Sequence, residues 1–222
     1  EANRETLADI FAPGDLFYLQ QTHGSRVAVL DGGALPPAMP GAEAVPPPKA
    51  DAVVCDRPGT FTVIQVADCQ AVLLADPQQR VVANIHSGWR GSVANIIAAT
   101  IAALEKRWGI RPADLLAGIG PSLGPCCGEF RHYRRELPPE VWPYGNASNY
   151  FDFWALSRDQ LLRAGVPASQ IHQSRICTRC NTGCRVLRGT GRCAATVACT
   201  PPTATTCTRS WAPRRCRASG SR

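Results

Sequence analysis

The order of hydrophobic patterns along the chain predicts an α+β domain built in layers. Short β-rich runs crowd into the first 85 residues, and one strong helical period follows at 92–107. Strand and helix never settle into the regular alternation of a βαβ fold, and no internal repeat is evident.

Taken in order, residues 1–15 read as a short helix and turn. Runs 17–19 and 26–30 read as strands on either side of Gln20-Gln21-Thr22-His23-Gly24. The stretch 32–49 holds Pro36, Pro37, Pro40, Pro46, Pro47 and Pro48, which lack the N–H that a ladder needs, so it reads as a loop. Strands are expected at 51–55, 60–66 and 71–75, then a turn at Asp76-Pro77-Gln78-Gln79 and a further strand at 80–85. The period then changes. Val93, Ile96, Ile97, Ile101 and Leu104 fall at i, i+3, i+4, i+8 and i+11, with the Thr100 methyl at i+7, which predicts one helix from about Ser92 to Arg107. Residues 115–119 read as a buried strand ending in Gly120-Pro121, and 153–164 as a helix stopped by Gly165 and Pro167.

A chain of 222 residues, 45% of them hydrophobic, supports one sizeable core or two small ones. The apolar content lies mainly between Arg26 and Leu162, so a single domain over 1–182 is expected, with an atypical Cys- and Arg-rich tail over 183–222. No run approaches the ~18 apolar residues of a membrane helix, and no basic stretch leads into an apolar h-region and cleavage site. The expectation is a soluble, cytoplasmic protein that engages no membrane. The chain opens on Glu1 rather than Met, so a fragment is expected.

The net charge of +7 invites a nucleic-acid reading, but ten arginines of the chain fall between Arg175 and Arg222 with no aromatic platform among them. Tail charge of that kind is ordinarily solvation or non-specific attraction, so no nucleic-acid partner is expected. Cysteine is equally lopsided: four of the eleven precede residue 170. An odd count without a secretory signal argues against a disulfide framework.

Three polar residues stand where strands give way to loops: His23, Cys69 and His86. One thiolate and two imidazoles suit Zn²⁺, with a fourth position left for water or substrate. Their spacing contains no H-x-x-x-H or C-x-x-C. On pattern alone, an inert buried cysteine and two hydrogen-bonded histidines outweigh a metal site. His86-Ser87-Gly88-Trp89-Arg90-Gly91 carries more information, because it joins a strand to the start of the amphipathic helix. Free N–H groups and the positive dipole end favour an anion there, Gly88 and Gly91 permit close approach, and Arg90 can fork onto phosphate. The competing reading is a tight turn with a solvated arginine. Gly120-Pro121-Ser122-Leu123-Gly124-Pro125-Cys126-Cys127 is a second constrained loop, and it makes Cys126 and Cys127 secondary pocket candidates beside Gln21 and Asp68.

Five of these segments occur together in one order: Gln21-Thr22-His23-Gly24, Ala50-Asp51-Ala52, Ala67-Asp68-Cys69, the His86–Gly91 hexapeptide and the Gly120–Cys127 loop. Cys177-Thr178-Arg179-Cys180 adds a sixth. Over roughly residues 3–182 the chain resembles the laccase-domain or polyphenol oxidase (YfiH) family, whose members are regarded as purine nucleoside phosphorylases. The resemblance implies a layered α/β sandwich with a mixed central sheet, like the catalytic domain of cytotoxic necrotizing factor. It implies a metal site on His23, His86 and Cys69, with Zn²⁺ as the ion and Cu²⁺ as the alternative. It also implies phosphorolysis of adenosine, inosine and 5′-methylthioadenosine, with adenosine deamination as a further activity. Purine nucleosides and phosphate are then the expected partners, with Arg90 on the phosphate; assembly as a homo-oligomer is left open.

Two departures from the family pattern stand out. The family's opening strand, with its Ser-Thr-Arg and glycine segment, has no counterpart here. After Asn181-Thr182, where the family continues with an aromatic-rich strand, this chain gives Gly183-Cys184-Arg185-Val186-Leu187-Arg188 and a Cys-, Arg-, Thr- and Pro-rich tail. The composition switch at a motif boundary leads us to expect a frame-shifted translation from about residue 183, with the last core strand lost. An intact coding frame with no nearby indel would overturn that. A zinc ribbon needs two C-x-x-C pairs, and only Cys177–Cys180 fits. Three other functions stay in view. A multicopper phenol oxidase needs many histidines, and the chain has only His23, His86, His132 and His172. Cys69 activated by His86 would make a cysteine hydrolase, and a metal-binding protein without catalysis is the third.

Overall fold

The computed structural model describes residues 9–32, 46–180 and 194–199. Nine strands are described: β1 (Asp15–Tyr18), β2 (Val27–Leu30), β3 (Ala52–Cys55), β4 (Thr60–Val66), β5 (Gln70–Asp76), β6 (Val81–Ser87), β7 (Leu116–Ile119), β8 (Ile171–Gln173) and β9 (Ala194–Cys199). Beyond a helical stretch at residues 9–11, the α-helices among the described residues are α1 (Trp89–Val93), α2 (Ile96–Trp108), α3 (Tyr133–Glu136) and α4 (Phe153–Arg163). Six strands form a sheet in the order β2-β3-β6-β5-β7-β8, and β1-β4-β9 form a second. The larger sheet is mixed: β2–β3 and β7–β8 run parallel, and the four central strands β3, β6, β5 and β7 run antiparallel to one another.

Burial on both faces explains why the central strands read as continuous apolar runs. Successive side chains of β3 point to opposite faces. Ala52 and Val54 join Ala83, Ile85, Val72 and Leu74 against Ile96, Ile97, Ile101 and Leu104 of α2. Val53 and Cys55 face the other way, with Leu30, Phe17 and Leu19. On that side β4 and β9 pack over β6, and the Asn84 amide donates to the Thr62 carbonyl at 3.0 Å to tie the sheets together. The architecture is therefore small sheet, large sheet, helix layer. Each isoleucine buried beneath α2 stabilises this arrangement by roughly 1.5–3 kcal/mol.

The helix expected at 92–107 is broken. Asn95 adopts the left-handed region (φ 53°, ψ 53°), and its side chain accepts from the Ala98 N–H, so it ends α1 and caps α2. Val93, counted into the helical period, packs instead into a separate cluster with Trp89, Phe130, Phe153 and buried Leu137, Val141, Phe151 and Leu156. That aromatic cluster organises the segment between β7 and α4, where the sequence predicted nothing beyond the Gly120–Cys127 loop. At the C-terminus of α2, Gly109 (φ 66°) bonds back to the Glu105 carbonyl. At the end of α4, left-handed Gly165 lets the Gly165 and Val166 N–H groups return to the carbonyls of Leu162 and Leu161, both at 3.0 Å.

Two strands were not predicted. β8 is three residues long and pairs with the edge of β7. β9 lies in the tail and pairs antiparallel with all but the first residue of β4, so residues 194–199 occupy a sheet position where sequence reading placed no element. The rest of the expected tail, the proline-rich stretch 33–45 and residues 1–8 lie outside the described residues; what is described of the expected opening helix and turn is helical at 9–11 and turns at 12–13. Among the described residues no helix is long and apolar enough to cross a membrane.

Candidate metal centre

His86 stands in the last turn of register of β6, opposite Ala71 of β5, rather than after the strand as predicted. Cys69 closes the turn from β4 to β5, where left-handed Asp68 (φ 70°) reverses the chain. His23, itself left-handed (φ 60°), sits in the loop between β1 and β2. These three distant residues converge: their ligand atoms all lie within 4.8 Å of one another. Cys69 Sγ is 4.0 Å from His23 Nε2, and the two imidazoles meet edge to face with centroids 4.7 Å apart.

Asp51 builds the site from below. It is fully buried at the start of β3, where a carboxylate must be answered by donors. Thr22 donates its N–H to both oxygens at 3.1 Å and its hydroxyl at 2.8 Å. His23 and Gly24 donate their N–H groups at 2.8 Å each. His86 Nδ1 completes the set at 2.9 Å from Asp51 Oδ1. An ionised acceptor there assigns the His86 proton to Nδ1 and leaves Nε2 with a free lone pair, the arrangement that orients a metal-ligating histidine. Burial alone would raise the Asp51 carboxyl, but the Gly24 N–H, the His86 ring and Thr22 outweigh it and hold the pKa below the ordinary carboxylate value. For His86 burial dominates and lowers the pKa, the bond to Asp51 opposing it, so the neutral ligand form is favoured.

Gly88 leaves room for this cluster. A Cβ there would come within 2.9 Å of His23 Cδ2 and 3.1 Å of Cys69 Sγ. Gly91 seats the start of the helix layer on the His23 loop, since a Cβ would meet the Gly24 carbonyl at 3.1 Å. A soft and borderline donor set of one sulfur and two nitrogens, a fixed tautomer and a cradle kept clear of Cβ atoms all fit a first-row metal such as zinc or copper. The triad faces a cavity of about 500 Å³ whose other walls include Leu19, Gln20, Gln21, Gln65 and Ala67.

The remaining predicted residues divide. Gln21 lines the cavity, but its amide is engaged as a backbone mimic: Nε2 donates to the Gln65 carbonyl at 2.8 Å and Oε1 accepts from the Gln65 N–H at 2.7 Å. Asp68 accepts from the Thr178 hydroxyl at 2.5 Å and holds the turn that presents Cys69. Arg90 is exposed, and its guanidinium lies 4.2 Å from the Trp89 ring centroid. It does not line the triad's cavity, and the helix it opens is five residues long, so the dipole invoked for an anion is shorter than expected. Cys126 and Cys127 do not line that cavity either; they meet Cys177 and Cys180. Sequence reasoning gave Asp51 no role. The available signal was a lone acid opening a wholly apolar run, a residue almost never buried unless paired.

The chain matches, over residues 1–200, the family described as "Multi-copper polyphenol oxidoreductase laccase". It is 34% identical over 137 residues to a purine nucleoside phosphorylase of Bacteroides thetaiotaomicron, covering 58% of this chain and 51% of that protein. It is 32% identical over 189 residues to a purine nucleoside phosphorylase of Xylella fastidiosa (strain Temecula1 / ATCC 700964), covering 80% of this chain and 68% of that one. Among solved structures, YlmD from Geobacillus stearothermophilus superposes with a TM-score of 0.73 at 29% identity, over 90% of this chain and 79% of its own. The chain thus spans about half the length of the Bacteroides relative.

Proposed function

The chain belongs to the multi-copper polyphenol oxidoreductase laccase family, and on that premise we propose that it is a metal-dependent purine nucleoside phosphorylase. The substrates in this reading are adenosine, inosine and 5′-methylthioadenosine, with adenosine deamination as a further activity. Zinc is the ion, held by His23, Cys69 and His86. The observation that carries the reading is the buried Asp51–His86 pair, which points a neutral histidine at the same space as a thiol and a second imidazole. The relatives named purine nucleoside phosphorylase support the reaction class.

An ion in such a set supplies Lewis-acid charge that polarises an oxygen of the substrate or acidifies water. In phosphorolysis a phosphate oxygen bonds to C1′, the bond from C1′ to the purine nitrogen breaks, and the departing base takes up a proton. In deamination, water oxygen adds at C6 and ammonia leaves. The chain's own residues would hold the reactants in place. Asp51 anchors the His23 loop through three backbone N–H groups, so the wall of the cavity is preset before substrate arrives. The paired Gln21 and Gln65 line the same cavity. The Arg90 guanidinium rests on the Trp89 ring and makes no hydrogen bond or ion pair among the described residues, which leaves its fork available for phosphate.

The test is elemental analysis of the purified chain coupled to an inosine-plus-phosphate assay. Zinc near one equivalent at this site, with release of hypoxanthine, is expected. His86→Ala should lose both that zinc and the turnover, and turnover retained without the metal would reject the mechanism. The family's description favours one rival, copper-dependent phenol oxidation. The triad gathers only two of the four histidines, short of a multicopper cluster. Visible absorption and phenol oxidation by copper-loaded protein would favour that rival.

A further inference from the structure

We propose that Cys126, Cys127, Cys177 and Cys180 form a second metal site, one that binds zinc structurally through four thiolates. Their Sγ atoms all lie within 4.8 Å of one another, as tightly grouped as the His23–Cys69–His86 donors. Cys126 Sγ stands 3.3 Å from Cys180 Sγ. A tetrahedral ion with Zn–S bonds of about 2.3 Å requires Sγ–Sγ edges of about 3.8 Å, so the cluster closes around zinc with edge changes of about 1 Å or less. All four cysteines are free, and a shared centre of four sulfurs is a metal arrangement rather than a disulfide pair at about 2.05 Å.

The chain is shaped to gather them. Cys177-Thr178-Arg179-Cys180 is a C-x-x-C turn, the usual half of a structural zinc site. The second pair is vicinal, which is why sequence spacing concealed it. Neighbours in an extended chain point to opposite sides, but residues 125–127 form a turn that brings Cys126 and Cys127 to the same centre. Gly124 sets the approach: its N–H lies 3.3 Å from Cys177 Sγ, and a Cβ would collide with Trp154 at 2.8 Å and meet Cys177 Cβ at 3.1 Å. Cys177 is buried while Cys126 and Cys180 are exposed, so the site has a floor and an entry path.

Its role follows from what the two turns hold. Ser122 pairs with both sides of Cys177, its N–H to the Ile176 carbonyl at 3.1 Å and its carbonyl accepting from Thr178 N–H at 3.0 Å. Leu123 N–H and Thr178 Oγ1 both bond to Asp68, at 2.8 and 2.5 Å. An ion joining the turns at 126–127 and 177–180 therefore fixes the Asp68 turn, next to Cys69.

The experiment is zinc stoichiometry on the full reduced chain after removal of loosely bound metal, with three double variants. Wild type should hold two zinc ions per chain. Cys126→Ser combined with Cys180→Ser should lose one, and His23→Ala combined with Cys69→Ala should lose the other. Cys184→Ser combined with Cys193→Ser should keep both. Zinc-edge absorption of the His23→Ala/Cys69→Ala protein should then report four sulfurs at about 2.3 Å. A zinc count that the Cys126/Cys180 variant leaves unchanged would overturn the proposal. So would a first shell in the His23/Cys69 variant other than four sulfurs. If the cysteine variant does not fold, that spectrum decides alone. Loss of the histidine site leaves the cysteine equivalent countable, so failure of the phosphorylase reading is separable from failure of this one.

Discussion

A carboxylate with no exposure survives only if its lone pairs are answered, and Asp51 receives donors from Thr22, His23, Gly24 and His86. The negative charge does two things at once: it collects three consecutive N–H groups of the His23 loop, and it selects the Nδ1–H tautomer of His86. Asp51→Asn keeps the shape but replaces one acceptor oxygen with a donor. The amide then confronts either the loop N–H groups or the His86 ring proton, and the tautomer is no longer fixed. Zinc affinity at the triad should fall about 10–100-fold, the usual cost of removing a carboxylate behind a metal-bound histidine. Competition against a chromophoric chelator reads this, and an affinity within twofold of wild type would refute the role given to Asp51. The triad itself could be named from the order of motifs. Asp51 stood within one of those motifs, Ala50-Asp51-Ala52, but its role could not be read, because one acidic residue in an apolar run does not reveal which loop its oxygens will face.

At the scale of elements, apolar runs placed β3 to β7 within a residue or two, since burial on both faces leaves little else at those positions. The errors have local causes. β8 is a three-residue edge strand containing His172 and Gln173, too short and too polar to show a period. The aromatic cluster around Phe151 draws on Trp89, Phe130, Tyr133 and Phe153, which recur at no fixed spacing. The helical period ran unbroken through Asn95 because side-chain identity records the faces but not the left-handed residue between α1 and α2. Asn95 is therefore a sharp test. Alanine in the left-handed region costs about 1–2 kcal/mol, and loss of the cap to Ala98 adds roughly 1 kcal/mol. Asn95→Ala should lower Tm by about 4–10 °C in a chain of this size. Asn95→Gly, which tolerates the φ, should recover most of that loss. Equal Tm values for wild type and Asn95→Ala by calorimetry would show that α1 and α2 can fuse at no cost, contrary to the two separate clusters they serve.

For the whole molecule, the small sheet matters because it covers one face of the sheet that carries His86, and β4 is its centre. β1 pairs along one side of β4 over Thr60–Val63, and β9 along the other over Phe61–Val66. The composition of the tail suggested a segment without structural value, yet β9 supplies the longer of these two ladders. Without it, the outer N–H and C=O groups of β4 would form an open edge, the kind of surface that pairs with other chains. Net contributions of about 0.5–1.5 kcal/mol for each ladder hydrogen bond put the loss at roughly 3 kcal/mol or more. That corresponds to a fall in Tm of about 6–12 °C. Ending the chain after residue 193 should therefore lower Tm by that amount and raise the oligomerised fraction in light scattering. Ending it after residue 199 keeps the β4–β9 ladder and should leave both quantities close to those of the full chain. If the two truncations behave alike, β9 contributes nothing to the fold, and the sheet that carries His86 stands on the strands before residue 180.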